Sequence, residues 1–112
     1  MKTYSYIGRV FMSTIKHIIK EAEIKVSRLF KTIADPTRLK IIYLLKNQEL
    51  NVSKIVEALN MEQSAVSHQL KVLRDINLVS YEKRGKEVYY KLADEHVYMI
   101  INQAYDHVME DL

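Results

Sequence analysis

The stretch from Asn51 to Leu92 constrains the fold most, because two short helical segments, a tight break and a pair of strand-like runs follow one another within it. Asn51 to Leu59 reads as a short helix beginning near Asn51 or Ser53. Asn60-Met61 interrupts it, and Gln63 to Ile76 starts another with Leu70 and Leu73 facing inward. Two short helices joined by a tight turn form a helix-turn-helix. Leu78 to Tyr81 and Glu87 to Leu92 are then rich in Val and Tyr and flank the polar Lys83-Arg84-Gly85-Lys86 tip, which predicts a β-hairpin with a basic tip.

The rest of the chain is helical in pattern. Ile7, Val10, Phe11, Ile15, Ile18 and Ile19 recur at helical spacing within Tyr6 to Ile24, a first helix suited to forming a dimer. Val26 to Ala34 is a second, stopped at Asp35-Pro36, where Asp can cap and Pro can occupy the first turn of the helix Thr37 to Leu45. Asp94 to Met109 closes the chain as a last helix. With two Gly and one Pro there is little punctuation and no repeat, so helices dominate. The predicted class is mainly α with a β-hairpin, in the order αααα-α-ββ-α. A chain of 112 residues fits one domain, 1–112, with N- and C-terminal dimerisation helices in a homodimer.

Absence of cysteine excludes disulfides, thiolate redox switching and thiolate metal sites. No apolar run approaches the roughly 20 residues of a membrane span, and Gly8, Arg9, Ser13 and Lys16 interrupt any export signal core, so a cytoplasmic protein without a membrane partner is expected. The net charge of +3 is unevenly spread: Lys and Arg are dense up to Lys40, and neither occurs after Lys91. That asymmetry suggests a polyanion for the body and cations for the tail.

Gln63, Ser64, Ser67 and His68 place small or polar side chains at the exposed start of the second helix of the pair, and such residues suit the major groove. Gln can bond adenine in bidentate fashion, Ser can pair with several base edges, and Ala65 or Val66 can meet a thymine methyl. Lys71 and Arg74 would face phosphates, and Lys83, Arg84 and Lys86, in a loop freed by Gly85, would lie along the sugar-phosphate backbone. The reading is a winged helix-turn-helix that binds double-stranded DNA.

The tail carries metal-ligand side chains at both ends, Asp94 and His96 at one and His107 and Glu110 at the other. Eleven residues bring His96 and His107 to within roughly 20° of one helix face, but about 16 Å apart along the axis, so one helix cannot close a site. Two helices running antiparallel across a dimer axis would bring the first pair of one chain to the second pair of the other, giving two symmetric sites. Two imidazoles with two carboxylates suit tetrahedral Zn²⁺ or Co²⁺ rather than soft metals. His17 and His68 have no such support as ligands.

From Leu29 to Glu110 the chain resembles the ArsR/SmtB family of metal-sensing bacterial repressors. The resemblance rests on the run Leu29 to Arg38 around Ala34-Asp35-Pro36-Thr37-Arg38, on Ser64 to Leu73, on Gly85 with Val88-Tyr89-Tyr90-Lys91-Leu92, and on the terminal motif. It implies a homodimer that binds imperfect inverted repeats and releases them when metal binds, derepressing efflux or sequestration genes. It also implies that Asp94, His96, His107 and Glu110 follow the family's zinc pattern, with Co²⁺ or another divalent transition metal as the alternative. In related sensors the second nitrogen of the His107 equivalent reaches a backbone carbonyl between recognition helix and wing, which would lie near Asn77 here.

The same fold responding to Co²⁺, Ni²⁺ or a non-metal signal is a rival reading. A zinc hydrolase fares poorly, because the site is closed and has no separate general base or substrate pocket signature; no enzyme and no small-molecule substrate are expected. A dimeric helical adaptor that binds protein would show no specific DNA binding.

Overall fold

The computed structural model describes residues 2–110, with side chains from residue 7 onward. It divides into two compact units, one ending at Lys31 and one beginning at Thr32. The elements run α1 (Lys2–Ile33), α2 (Pro36–Leu44), β1 (Leu50–Asn51), α3 (Val52–Leu59), α4 (Gln63–Asp75), β2 (Val79–Arg84), β3 (Glu87–Leu92) and α5 (His96–Met109).

The first unit is helix alone. The expected break between Ile24 and Val26 does not occur: α1 continues unbroken for 32 residues. The reason is local, since no Gly or Pro interrupts the helical run around Lys25. Its large apolar side chains lie in solvent, among them Ile7, Phe11, Ile18 and Ile19, each 58% or more exposed.

In the second unit each helix boundary has a chemical cause. The Asp35 side chain accepts from the Arg38 backbone N–H at 3.0 Å, and Pro36 opens α2, where its missing donor costs nothing. The Asn51 side chain accepts from the Lys54 N–H at 2.9 Å and starts α3. Asn60 ends that helix in the left-handed region (φ 52°), with its N–H donating to the Glu57 carbonyl and the Met61 N–H to that of Val56. The same closure ends α4. Asn77 lies at φ 61° and donates to the Arg74 carbonyl, and Leu78 donates to that of Leu73, both at 2.9 Å. This is a Schellman motif, with buried Leu73 and Leu78 as its apolar pair. Asparagine tolerates this backbone better than other non-glycine residues. Asn77→Gly is therefore expected to leave stability nearly unchanged, whereas Asn77→Val should lower it by about 1–2 kcal/mol in urea unfolding. Equal stability of the two variants would contradict the role given to φ here.

Three strands form one antiparallel sheet in the order β1-β3-β2. Val79 pairs with Leu92 through to Arg84 with Glu87, leaving a two-residue turn whose Gly85 has φ 63°. β1, which the sequence reading did not include, adds Leu50 opposite Tyr90 and Asn51 opposite Tyr89. The core lies where α2, α3 and α4 meet the sheet. Ile41, Ile42, Ile55, Val66, Leu70 and Leu73 are fully buried there, each contributing about 1.5–3 kcal/mol by leaving water. α5 docks through buried Val97, Tyr98 and Ile101. The Tyr43 hydroxyl donates to Asn102 Oδ1 at 2.9 Å, and the Tyr43 ring centroid lies 5.4 Å from that of Tyr98 and 4.7 Å from that of Tyr105.

Candidate nucleic-acid interface and metal ligands

α4 is divided by its own burial. Val66, Leu70 and Leu73 face the core, while Gln63, Ser64, Ser67, His68 and Lys71 are exposed. The helix is held from the side by Arg38, whose Nη1 donates to Gln69 Oε1 at 2.8 Å and whose Nε donates to the Thr32 carbonyl. An arginine has only donors, so the oxygen of the Gln69 amide must face it. This tie joins residues 31 positions apart, and no local pattern announces it.

Strand alternation splits the basic wing. Successive side chains point to opposite faces, so Tyr81 and Lys83 share one face of β2, and Glu82 and Arg84 share the other. Tyr81 meets α4: the Arg74 guanidinium lies 4.9 Å from its ring centroid, so Arg74 stacks on the wing. On the opposite face both terminal nitrogens of Arg84 are engaged. Its Nη1 and Nη2 donate to the two carboxylate oxygens of Glu49 at 2.7 and 3.0 Å, and Nη2 donates also to Glu82 Oε2 at 2.9 Å. The guanidinium also covers the Tyr89 ring at 4.7 Å. These bonds hold the Glu49 carboxyl below the ordinary carboxylate range and raise the Arg84 pKa. Beside them, Asn51 Nδ2 and the Tyr89 hydroxyl both donate to Glu87 Oε2, at 3.0 and 3.1 Å. Among the described residues Lys83 and Lys86 have no carboxylate partner. Glu49 and Glu82 did not figure in the sequence reading. The Glu82/Arg84 spacing on one strand face was visible there, whereas Glu49 requires knowledge of β1.

The tail ligands stand as two pairs. Asp94 precedes α5 rather than lying on it, because its Oδ1 accepts from the His96 backbone N–H at 2.9 Å and so defines where the helix starts. The same oxygen lies 3.4 Å from His96 Nδ1, close enough for both groups to approach one cation. His107 occupies the last turn of α5 and Glu110 its C-cap. All four side chains are exposed. Among the described residues, no three His, Cys, Asp or Glu groups of a single chain gather as a metal site would require. Met99, Ile100, Val108 and Met109 on α5 are 44–60% exposed.

Comparison with known proteins places this arrangement. Residues 35–81 match the model of the bacterial regulatory protein, arsR family. The chain is 41% identical over 87 residues to the HTH-type transcriptional regulator NmtR of Mycobacterium tuberculosis, covering 78% of this chain and 72% of the relative. The chain belongs to the ArsR/SmtB family. Within that family it is also 42% identical over 86 residues to a transcriptional repressor SmtB homolog of Synechocystis, an alignment that spans 77% of this chain and 65% of the relative, just short of two thirds. Among solved structures it is similar to a homodimeric winged helix-turn-helix DNA-binding domain from Mycobacterium bovis. That match has a TM-score of 0.74 and 29% identity, and covers 83% of this chain and 86% of the other. ArsR/SmtB proteins are winged helix-turn-helix transcriptional regulators, a DNA-binding and non-enzymatic family, and the α3–α4 pair with the β2–β3 wing is that architecture. Among the described residues no helix is long and apolar enough to cross a membrane.

Proposed function

We propose that the chain is a cytoplasmic transcriptional repressor that binds an inverted-repeat operator as a homodimer and is released by Zn²⁺. Each protomer is one winged helix-turn-helix domain with α1 and α5 as dimerisation helices. Gln63, Ser64, Ser67 and His68 read base edges, while Lys71, Lys83 and Lys86 hold phosphates. The observation that carries the metal reading is the pairing of ligands at opposite ends of α5. Asp94 and His96 are 3.4 Å apart at one end and His107 and Glu110 share the other, on a helix face flanked by exposed Met99 and Ile100. An antiparallel second copy would cover that face and complete two sites, each with two imidazoles and two carboxylates. That donor set fits zinc, with Co²⁺ next, and contains no thiolate.

Metal shifts the equilibrium only by binding the low-affinity state better than the DNA-competent one. His107, once ligated through one nitrogen, offers N–H at the other. An acceptor carbonyl in the tight closure around Asn77 would tie α5 to the end of α4 and turn the two recognition helices out of register with the operator.

The test is a titration of metal-free protein into labelled duplex from its own upstream region, followed by buffered zinc. Tight binding that weakens by about 5–150-fold with zinc is expected, with no such loss in His96→Ala and a reduced loss in His107→Gln. Binding by the wild type that ignores zinc, Co²⁺ and Ni²⁺ alike would exclude the metal switch and leave the DNA-binding reading standing.

A further inference from the structure

The wing carries three cations at its end, and the structure treats one of them differently. We propose that Glu49 and Glu82 set the DNA selectivity of the wing by withholding Arg84 from phosphate. The inference rests on the DNA-binding reading above.

The geometry has three parts. First, the register places Glu82 opposite Tyr89 and Tyr89 opposite Asn51, so Arg84 reaches from β2 across the central strand to the residue that leads into β1. Second, both terminal nitrogens of its guanidinium are committed, to Glu49 at 2.7 and 3.0 Å and to Glu82 at 2.9 Å, with the Tyr89 ring beneath. An isolated exposed ion pair is weak, but a bidentate fork with a second carboxylate and a stacked ring is a network that holds the side chain in one place. Third, alternation puts this network on the face opposite Tyr81 and Arg74, away from α4. Two carboxylates around one guanidinium make the cluster net anionic, so Arg84 releases no counterion when DNA arrives.

The consequence is selective. Cations at a wing tip attract every duplex alike, because the attraction comes from neutralised phosphates and not from base edges. Removing one cation per subunit from that pool lowers binding to unrelated DNA while the contacts made by α4 remain. Glu49 and Glu82 are in this sense positioning residues, acting on DNA through Arg84.

The experiment measures affinity against salt for the full-length protein on two labelled duplexes of equal length, one from its own upstream region and one scrambled. Arg84→Gln is expected to keep the wild-type dependence of log affinity on log salt for both. Glu49→Gln/Glu82→Gln frees Arg84 and should steepen that dependence by about 0.9 per subunit. The loss of affinity between roughly 50 and roughly 200 mM salt then grows about threefold per subunit, and the preference for the upstream duplex falls. A shallower dependence in Arg84→Gln, with circular dichroism unchanged from wild type, would overturn the proposal. So would an unchanged slope in the double variant, and Arg84→Gln decides alone should the double variant not fold. Wild-type protein that binds neither duplex in a salt-dependent way would remove the DNA reading itself, and the inference with it.

Discussion

Ile18→Glu is expected to leave the chain monomeric and to weaken operator binding by at least about 100-fold, because two half-sites held by one dimer gain roughly 10²–10⁴ in avidity that separate subunits lose. Ile7, Phe11 and Ile18 lie within about 40° of one another on α1, and each is 58% or more exposed in the single chain. An apolar stripe of that kind is far more than a lone surface isoleucine, and it is the feature expected of an interface. A second copy is the occupant consistent with α5, where the proposed metal sites also require one. Placing a carboxylate in the stripe would bury an unpaired charge on association, which costs several kcal/mol. Sedimentation gives the oligomeric state and fluorescence anisotropy the affinity. A dimer of wild-type strength in Ile18→Glu would show that α1 is not part of the seam.

Leu70→Ala should lower unfolding free energy by about 3 kcal/mol, within the roughly 2–5 kcal/mol seen when a fully buried leucine is truncated to alanine. Leu70 has no exposed surface and sits between Val66 and Leu73 on the inner face of α4. The cavity would open directly behind Ser67 and Lys71, so operator affinity should fall as well. Urea unfolding at one fixed protein concentration measures the first effect, since the stability of a dimer depends on concentration. A loss below about 1 kcal/mol would mean that the three-helix core collapses around the gap more readily than native packing density allows.

Much of this architecture was legible in the residues because its causes are local. Asp35-Pro36 announces a helix start through a cap and a fixed φ, and the structure places both groups in those roles. Asn60 between two apolar runs announces the turn, and Gly85 between two Val- and Tyr-rich runs announces the hairpin. What escaped is non-local or depends on an absence. β1 is two residues long and exists only because Tyr89 and Tyr90, about 40 positions later, pair with it. The continuity of α1 follows from no Gly or Pro interrupting it at Lys25, where two separate segments were expected. Asp94 looked like part of the last helix by spacing, yet its side chain bonds the His96 N–H and so stays outside. Arg84 looked like a phosphate contact by composition, and only the sheet shows the carboxylates that hold it. The proposed metal ligands mark the firmest boundary: they occur as two pairs in one chain, and a single chain has no means of joining them.

The pairing of β1 with β3 has a consequence for signalling. The central strand of the sheet, β3, is bonded on one side to β2 and on the other to the residues that open α3, and Asn51 both pairs in the sheet and caps that helix. The Schellman closure at Asn77 fastens α4 to the remaining strand. Wing and helix pair therefore form one reading head with no hinge between its parts. A signal received at α5 has only a coarse handle on such an object. It can turn or separate two heads whose spacing must match a helical repeat of about 34 Å, and it leaves the chemistry of each head intact. Induction should then weaken binding to every operator variant by a similar factor, without changing which bases are preferred.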